Sequence, residues 1–315
     1  MPVWFSCCMK TIFSAFHFGL LPLLFALAVS PALAELYRYQ DSAGKWHFTD
    51  RPPPAMVEKV ESLTIKNSAK KHPKPNVKRH KENGQYIWLV DNPLPVSIQI
   101  WLRWKGDNGF FHSQLIKSGQ LAEEVWRQED KGQGYDFYYL LGEPVARPTD
   151  IDIPPPYKAG KSYRISQGFN GRFSHSGRGS RYAVDIAMPV GSYIHAVKDG
   201  IVADARDDFT IGGTAGYFLD KANHVTIMHE DGSYAVYAHI LHGSLQVKTG
   251  DKVKVGQAIA RSGSTGYSTG PHLHFVIRYN SGQGSYSVPF RFLTEDGKAE
   301  KPREHKRYLG LKVED

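Results

Sequence analysis

Two histidines separated by one residue are the strongest chemical signal in the sequence. His272 and His274 stand in a run with the alternation of a β-strand. Because strand side chains alternate between faces, both imidazoles point to one side while Leu273 and Phe275 face a core. Two imidazoles placed in this way can share a metal ion and a water molecule. A structural role for each histidine is the alternative.

Two further residues are candidates for the same site. His239 lies in a second β-like segment, directly after Tyr237-Ala238. Asp185 lies within an otherwise apolar strand pattern at 183–187. A carboxylate in that setting is costly unless it is paired or bound to a metal.

The order and spacing of these segments resemble the LytM/lysostaphin family of zinc peptidoglycan endopeptidases. The resemblance covers about residues 165–280. It is carried by the segments 185–191, 196–202, 237–240, 250–256 and 263–275. It implies that Asp185 and His274 bind one zinc ion per chain, that His239 and His272 act as catalytic imidazoles, and that Tyr237 contacts the substrate.

The remaining zinc ligand departs from the family pattern. The family's first histidine usually lies four residues before the aspartate, and that position here is Arg181, which cannot bind zinc. His175 lies ten residues before Asp185, in a Gly/Ser-rich loop, and is predicted to be the ligand. Such a set leaves a fourth zinc position open for water. A degenerate site, with His175 merely on a loop, is the alternative.

The resemblance implies an exported zinc metalloendopeptidase that hydrolyses peptide cross-links of bacterial cell-wall peptidoglycan. The alternative is a non-catalytic relative that binds the wall or activates another hydrolase. A serine hydrolase is a competing interpretation, since 266–270 match G-x-S-x-G. That motif needs a following helix, and here Pro271 and a strand pattern follow.

The elements that must position these residues are predicted to be strands. Short apolar runs alternate with Gly-rich turns through 157–294, and no convincing amphipathic helix occurs there. The predicted fold class is all-β, with a compact antiparallel two-sheet domain preceded by smaller β domains. The predicted divisions are a signal peptide at 1–34, a hairpin domain at 35–65, a basic linker at 66–85, a small all-β domain at 86–150, the zinc peptidase domain at 157–294 and a tail at 295–315.

Composition excludes several other classes of protein. Hydrophobic residues make up 41% of the 315 residues and charged residues 22%, which excludes global disorder, collagen and multi-span membrane proteins. The two cysteines are Cys7 and Cys8. The rest of the chain therefore cannot hold a cysteine zinc site, a disulfide framework or a thiol nucleophile.

The N-terminal part predicts export. Lys10 is followed by an uncharged stretch that ends in Ala32-Leu33-Ala34, as in a secretory signal peptide cleaved after Ala34. An uncleaved membrane anchor is the alternative. Residues 35–65 resemble a short domain of unknown function found in proteobacterial envelope proteins. The predicted location is therefore the periplasm of a Gram-negative bacterium.

A basic run accounts for most of the formal net charge of +8. Residues 66–81 contain seven Lys or Arg and no acidic residue. This run is predicted to be a solvated tether, with weak attraction to anionic envelope polymers as its functional interpretation. Peptidoglycan stem peptides are the predicted partner, and nucleic acid is not.

Overall fold

The structure is a computed structural model that describes residues 36–40, 46–49, 60–63, 72–105, 111–129 and 134–313. The predicted signal peptide and the predicted hairpin turn at 41–44 lie outside the described residues. The first part of the predicted basic linker, 66–71, lies outside them as well.

A small N-terminal sheet contains the hairpin predicted within 35–65. Its strands are β1 (Leu36–Gln40), β2 (Trp46–Thr49) and β3 (Val60–Leu63). All pairings are antiparallel and the order is β2-β1-β3. The third strand was not part of the prediction.

Six strands build a second β unit from two three-stranded antiparallel sheets, with orders β4-β5-β8 and β7-β6-β9. The strands are β4 (Asn76–Glu82), β5 (Gln85–Asp91), β6 (Ile98–Trp104), β7 (Phe111–Ile116), β8 (Glu123–Gln128) and β9 (Tyr135–Leu141). In β6, Ile98, Ile100 and Leu102 are fully buried while Arg103 is exposed, as the alternation predicts. These residues pack around Trp88 in one core.

The predicted basic linker at 66–85 is wrong over its second half. Residues 76–82 form β4, which pairs along its length with β5. Asn83 and Gly84 connect the two strands with positive φ values of 48° and 84°. Asn-Gly at such positions is the typical signature of a two-residue hairpin turn. The Lys78 ammonium also lies 2.6 Å from the Asp91 carboxylate across the pair.

The C-terminal domain contains the remaining strands and a 3₁₀ helix at Gly216–Phe218. Its strands are β10 (Asp152–Ile153), β11 (Ser162–Gln167), β12 (Val184–Ala187), β13 (Tyr193–His195), β14 (Gly200–Arg206), β15 (Gly212–Gly213), β16 (His224–Met228), β17 (Ser233–Ala238), β18 (Lys252–Val253), β19 (Ala258–Arg261), β20 (Gly266–Tyr267), β21 (Leu273–Asn280), β22 (Ser285–Ser287), β23 (Arg291–Leu293), β24 (Ala299–Glu300) and β25 (Arg307–Leu309). The all-β fold class is thus confirmed.

One large antiparallel sheet organises this domain. Its nine strands follow the order β18-β14-β16-β17-β21-β12-β11-β25, with β22 paired to β21. Three smaller sheets accompany it: β10-β23-β24, β13-β19 and β15-β20. The pairs β10–β23 and β15–β20 are parallel. The prediction of an antiparallel domain therefore holds for the large sheet but is wrong for these two pairs. One face of the large sheet packs on the main core, and the other face carries the site described below.

The predicted tail at 295–315 is part of the domain instead. Strand β24 pairs with β23, and β25 forms the edge of the large sheet against β11. Tyr308 explains this docking, because its side chain is only 3% exposed and its ring lies against Phe292. Similarly, β10 lies in the stretch left between the predicted domains and pairs with β23.

The second β unit packs directly on the large sheet. Ala203 of β14 is fully buried in the core that contains Trp88. The Asn280 amide donates hydrogen bonds to Gln99 Oε1 and to the Gly142 carbonyl, both at 3.0 Å. Within the part of the chain that the structure describes, no helix has the length and apolar character needed to cross a bilayer.

Candidate metal centre

Neighbouring strands bring Asp185 and His274 together. In β12, Val184 and Ile186 face the main core, so Asp185 faces the opposite side. In β21, Leu273 and Phe275 do the same and leave His274 on that side. Asp185 and His274 are directly opposite each other in the β12–β21 register. Side chains at such positions are close enough to interact.

The loop that precedes β12 brings in His175. This side chain is completely buried, and its Nε2 lies 3.2 Å from Asp185 Oδ1 and 3.4 Å from His274 Nδ1. His274 Nδ1 lies 2.8 Å from the same Asp185 oxygen. Among the described residues, these three form the one group of His, Asp, Glu or Cys side chains whose ligand atoms converge in this way. Arg181 is exposed and is not part of it.

The donor atoms fit a zinc ion. The Gly168 carbonyl can only accept, so His175 Nδ1, 2.9 Å away, carries the proton and the Nε2 lone pair faces the group. Atoms bound about 2.0–2.2 Å from a tetrahedral zinc lie roughly 3.3 Å from one another. The observed separations of 2.8, 3.2 and 3.4 Å bracket that value. Two imidazole nitrogens and one carboxylate oxygen are also a usual zinc set.

The electrostatics keep these groups in the protonation states that metal binding requires. Burial by itself would raise the pKa of Asp185, but the imidazoles of His175 and His274 outweigh it and hold that pKa well below its ordinary value. Burial lowers the pKa of His274, although Asp185 opposes this shift. The carboxylate is therefore ionised and the His274 imidazole is favoured in its neutral form.

His239 and His272 lie beside this group. Their rings are 4.5 Å apart between centroids, and His272 Nε2 is 3.8 Å from Asp185 Oδ1. Each has Nδ1 at a backbone carbonyl: His239 at Thr265 (2.6 Å) and His272 at Gly270 (2.8 Å). Each Nδ1 therefore carries a proton, which leaves Nε2 as the ring nitrogen that can exchange a proton.

The backbone at His239 is unusual. Its φ is +64°, a left-handed value that is uncommon for residues other than glycine. Burial, reinforced by the neighbouring imidazoles of His272 and His274, lowers the pKa of His239 to about 3. A Cβ on Gly263 would lie 3.0 Å from the His239 carbonyl and 2.7 Å from Leu241 N. Only glycine fits at position 263 without a shift of the backbone at His239 and Leu241.

Sequence reasoning missed Gln167. Its side-chain amide donates to the second Asp185 oxygen, Oδ2, at 3.2 Å and to Ser174 Oγ at 2.7 Å. This leaves Asp185 Oδ1 directed at the two histidines. No motif marks Gln167. Only its place at the end of β11, beside β12, could have suggested the contact.

Four of these groups, Asp185, His239, His272 and His274, line a cleft of about 580 Å³. At the mouth of the cleft, the exposed ring of Phe173 stacks on Tyr267, with 6.0 Å between centroids. An aromatic pair at this position offers an apolar surface to an extended ligand.

The structure contradicts the predicted substrate contact of Tyr237. Its side chain is fully buried, packs on Phe275, and accepts a hydrogen bond from the Val197 amide at 2.9 Å. Tyr237 lies on β17 one residue before Ala238, which lines the cleft, so strand alternation directs it into the core. Its role is structural.

The G-x-S-x-G segment offers no serine nucleophile. Ser268 Oγ lies 3.4 Å from His272 Nδ1, but that nitrogen carries the proton directed at the Gly270 carbonyl. It cannot accept the Ser268 proton. The segment is followed by β21 rather than a helix.

Comparison with protein families matches two regions of the chain. The model for peptidase family M23 matches residues 179–286, which include Asp185, His239, His272 and His274. A model described as a domain of unknown function, DUF4124, matches residues 23–78. The second match agrees with the resemblance predicted for the N-terminal region.

Individual relatives are similar over part of the chain. The glycyl-glycine endopeptidase ALE-1 of Staphylococcus capitis is 37% identical over 144 residues, 45% of this chain and 35% of that protein. The peptidoglycan DD-endopeptidase ShyA of Vibrio cholerae is 34% identical over 124 residues, 38% of this chain and 26% of that protein. The catalytic domain of lysostaphin from Staphylococcus simulans is 33% identical; the match covers 46% of this chain and 89% of that one, with a TM-score of 0.27. The chain thus spans about a third or less of the two full-length relatives.

Proposed function

Because the chain belongs to peptidase family M23, we propose that it is a zinc-dependent endopeptidase that hydrolyses peptide cross-links of bacterial peptidoglycan. The family is one of metallopeptidases. The names of the relatives include glycyl-glycine and DD-endopeptidases, so the substrate class follows from similarity.

One observation carries the proposal. His175 Nε2, His274 Nδ1 and Asp185 Oδ1 converge within 3.4 Å of one another, and Asp185 and His274 both line the open cleft. These three residues would hold the zinc ion. When bound, the metal acts as a Lewis acid that activates water and polarises a substrate carbonyl. A catalytic site of this kind needs three protein ligands and access for substrate.

His239 and His272 would perform the proton transfers. Both line the cleft, and their Nδ1–H groups are fixed by the carbonyls of Thr265 and Gly270. The Nε2 of one ring can therefore accept a proton from attacking water, while a protonated ring can donate to the leaving amine. The lowered pKa of His239 keeps it neutral before reaction.

The site of action follows from the sequence of the N-terminal region. The signal-peptide pattern at 1–34 and the DUF4124 match support export to the periplasm of a Gram-negative bacterium. Peptidoglycan stem peptides would be the partner there. Anionic envelope polymers would be weakly attracted to the exposed basic residues at 74–81 and to the basic residues that precede them.

The test is a metal analysis of the purified protein together with an assay on isolated sacculi. We expect stoichiometric zinc, release of cross-linked peptides, loss of release after chelation, and recovery after zinc is restored. An Asp185→Ala variant serves as the inactive control. Bound zinc without any peptide release would contradict the proposal and favour the non-catalytic wall-binding alternative.

A further inference from the structure

A second cleft continues from the metal centre along the same face of the large sheet. It has a volume of about 440 Å³ and shares Ala222 and Ala238 with the first cleft. Its floor is formed by side chains of β16, β17 and β21. Its wall is formed by residues of the second β unit, including Tyr139, and by Lys74 in the segment that precedes β4. The catalytic domain and the preceding unit therefore build this cleft together.

Arg278 is the notable group in the second cleft. It lies four residues after His274 on β21, on the same face, at ~13 Å for a strand rise of ~3.3 Å per residue. Its Nε donates to the Gly179 carbonyl at 2.6 Å. Within the described ranges, no carboxylate oxygen lies within 4.0 Å of its guanidinium nitrogens. Burial lowers the pKa of this guanidinium, so its charge is partly removed from water without a compensating acid.

The other charged groups of the cleft leave its potential positive. Asp204 is the acid that lines the cleft, and its carboxylate lies 2.8 Å from His224 Nε2. Lys74 adds an exposed ammonium, for which the described residues show no ion pair. The Tyr234 hydroxyl and Ser285 Oγ, 2.5 Å apart, add hydroxyl donors beside Arg278.

We propose that Arg278 and Lys74 form a subsite for a free carboxylate of the substrate's stem peptide. This inference rests on the proposed function and deepens it. An extended peptide covers ~3.3–3.6 Å per residue, so the anchored carboxylate lies three to four residues' length from the metal centre. Arginine suits this role because its planar fork pairs with both oxygens of a carboxylate. Peptidoglycan stem peptides carry such carboxylates, whereas a neutral Gly bridge does not.

The experiment compares two synthetic cross-linked peptides that differ only in whether the stem carboxylates are free or amidated. We expect the wild-type protein to cleave the free form with a kcat/KM about 10- to 100-fold higher, the usual weight of a charge-assisted hydrogen bond. Arg278→Gln should abolish this preference, with a larger fall in kcat/KM for the free form than for the amidated form, and Lys74→Gln should reduce it. Arg278→Lys should keep part of it.

A matched control is Arg178→Gln, which removes an exposed guanidinium that contacts Tyr286 and does not line the second cleft. It should leave the preference intact. Calorimetry with the metal-free protein and the free-carboxylate stem peptide gives a readout that does not depend on turnover. Weaker binding to Arg278→Gln than to wild type is expected there.

Two results would overturn the subsite. One is equal cleavage of both peptides by the wild type; the other is an equal loss on both peptides in Arg278→Gln. Failure of the proposed function is a different outcome, in which the zinc-loaded wild type cleaves neither peptide. In that case, calorimetry still decides whether Arg278 binds the carboxylate. Equal affinity of wild type and Arg278→Gln would reject it.

Discussion

Two His–Asp pairs lie at the same face of the large sheet, and they differ in whether a second imidazole reaches the same carboxylate oxygen. At the metal centre, His175 donates from Nδ1 to the Gly168 carbonyl, and its Nε2 lies 3.2 Å from Asp185 Oδ1. In the second cleft, His224 has Nδ1 at the Ala222 carbonyl (3.1 Å) and Nε2 at the Asp204 carboxylate (2.8 Å). Each pair thus has one ring nitrogen at a backbone carbonyl and the other at a carboxylate, and these contacts alone do not distinguish the two pairs.

This comparison teaches that a histidine close to an aspartate is not by itself a metal site. A metal site also needs a second imidazole that converges on the same carboxylate oxygen. His274 supplies that second imidazole for Asp185. Among the described residues, no corresponding convergent group includes Asp204 and His224.

The largest expected effect is loss of metal from the first pair. His175→Ala removes one of three zinc ligands, so zinc content should fall from stoichiometric to near zero, and cleavage should fall to background. Elemental analysis after dialysis measures the zinc content, and peptide release from sacculi measures cleavage. His224→Ala and Arg181→Ala are the controls and should keep their zinc. Stoichiometric zinc in His175→Ala would refute the ligand assignment.

The next effect separates chemistry from metal retention. His239→Ala and His272→Ala each remove an imidazole beside the centre while leaving the three ligands in place. Zinc content should stay near that of the wild type, and kcat should fall about 10²–10⁴-fold. Steady-state kinetics on a soluble cross-linked peptide measure kcat, and elemental analysis measures the zinc content. Wild-type rates in either variant would exclude that histidine from catalysis.

A smaller effect is expected at Gln167. Its amide holds the second oxygen of Asp185, and loss of such a contact typically weakens metal affinity about 10- to 100-fold. Competition with a zinc chelator measures the affinity of Gln167→Ala. The exposed Gln283, which does not line the metal cleft, provides a matched Gln→Ala control. Equal affinities for the two variants would show that Asp185 needs no such support.

The smallest effect is a pH dependence of stability. The pKa of His239 is lowered to about 3 in the fold, below about 6.5 in the unfolded chain. The unfolded state therefore binds more protons in this window, and the stability present above pH 6.5 is lost as pH falls toward 3. Each such group contributes up to about 1.4 kcal/mol per pH unit.

Urea unfolding of the metal-free protein at pH 7, 5.5 and 4.5 tests this dependence. His239→Gln should show a shallower decline than the wild type, because glutamine does not titrate. His224→Gln is the comparison variant from the second pair. An unchanged free energy of unfolding in the wild type between pH 7 and 4.5 would contradict the prediction.

For regular strands, the sequence predicts well which face of the sheet each residue occupies. The alternation at 272–275 places His274 opposite the core, and the pattern at 183–187 does the same for Asp185, because strand geometry alone fixes those faces. The hairpin at β4–β5 was also predictable from Asn83-Gly84, but the dense basic charge obscured that signal. Exposed Lys and Arg are compatible with a strand whose outer face meets solvent.

Other features depend on contacts between distant parts of the chain. The carbonyls of Gly168, Thr265 and Gly270 that orient the imidazoles leave no trace in residue type, because every residue has a carbonyl. The two-residue strands β10 and β15 are too short for periodicity to reveal. The burial of Tyr237 was implied by strand alternation, but similarity to a family motif suggested a functional role instead.

The burial of Ala203 among the aromatic residues around Trp88 has a consequence for how the protein matures. Synthesis proceeds from the N-terminus, so the strands of the second β unit emerge before β14, which completes their hydrophobic cluster. Until β14 arrives, that cluster exposes an incomplete apolar surface, which a chaperone can recognise and which favours aggregation. Once both parts are present, we expect them to unfold as one cooperative unit, because opening either part exposes apolar surface of the other. If the chain is cut between residues 141 and 152, each fragment therefore exposes to solvent the apolar surface that the other part covers in the intact protein.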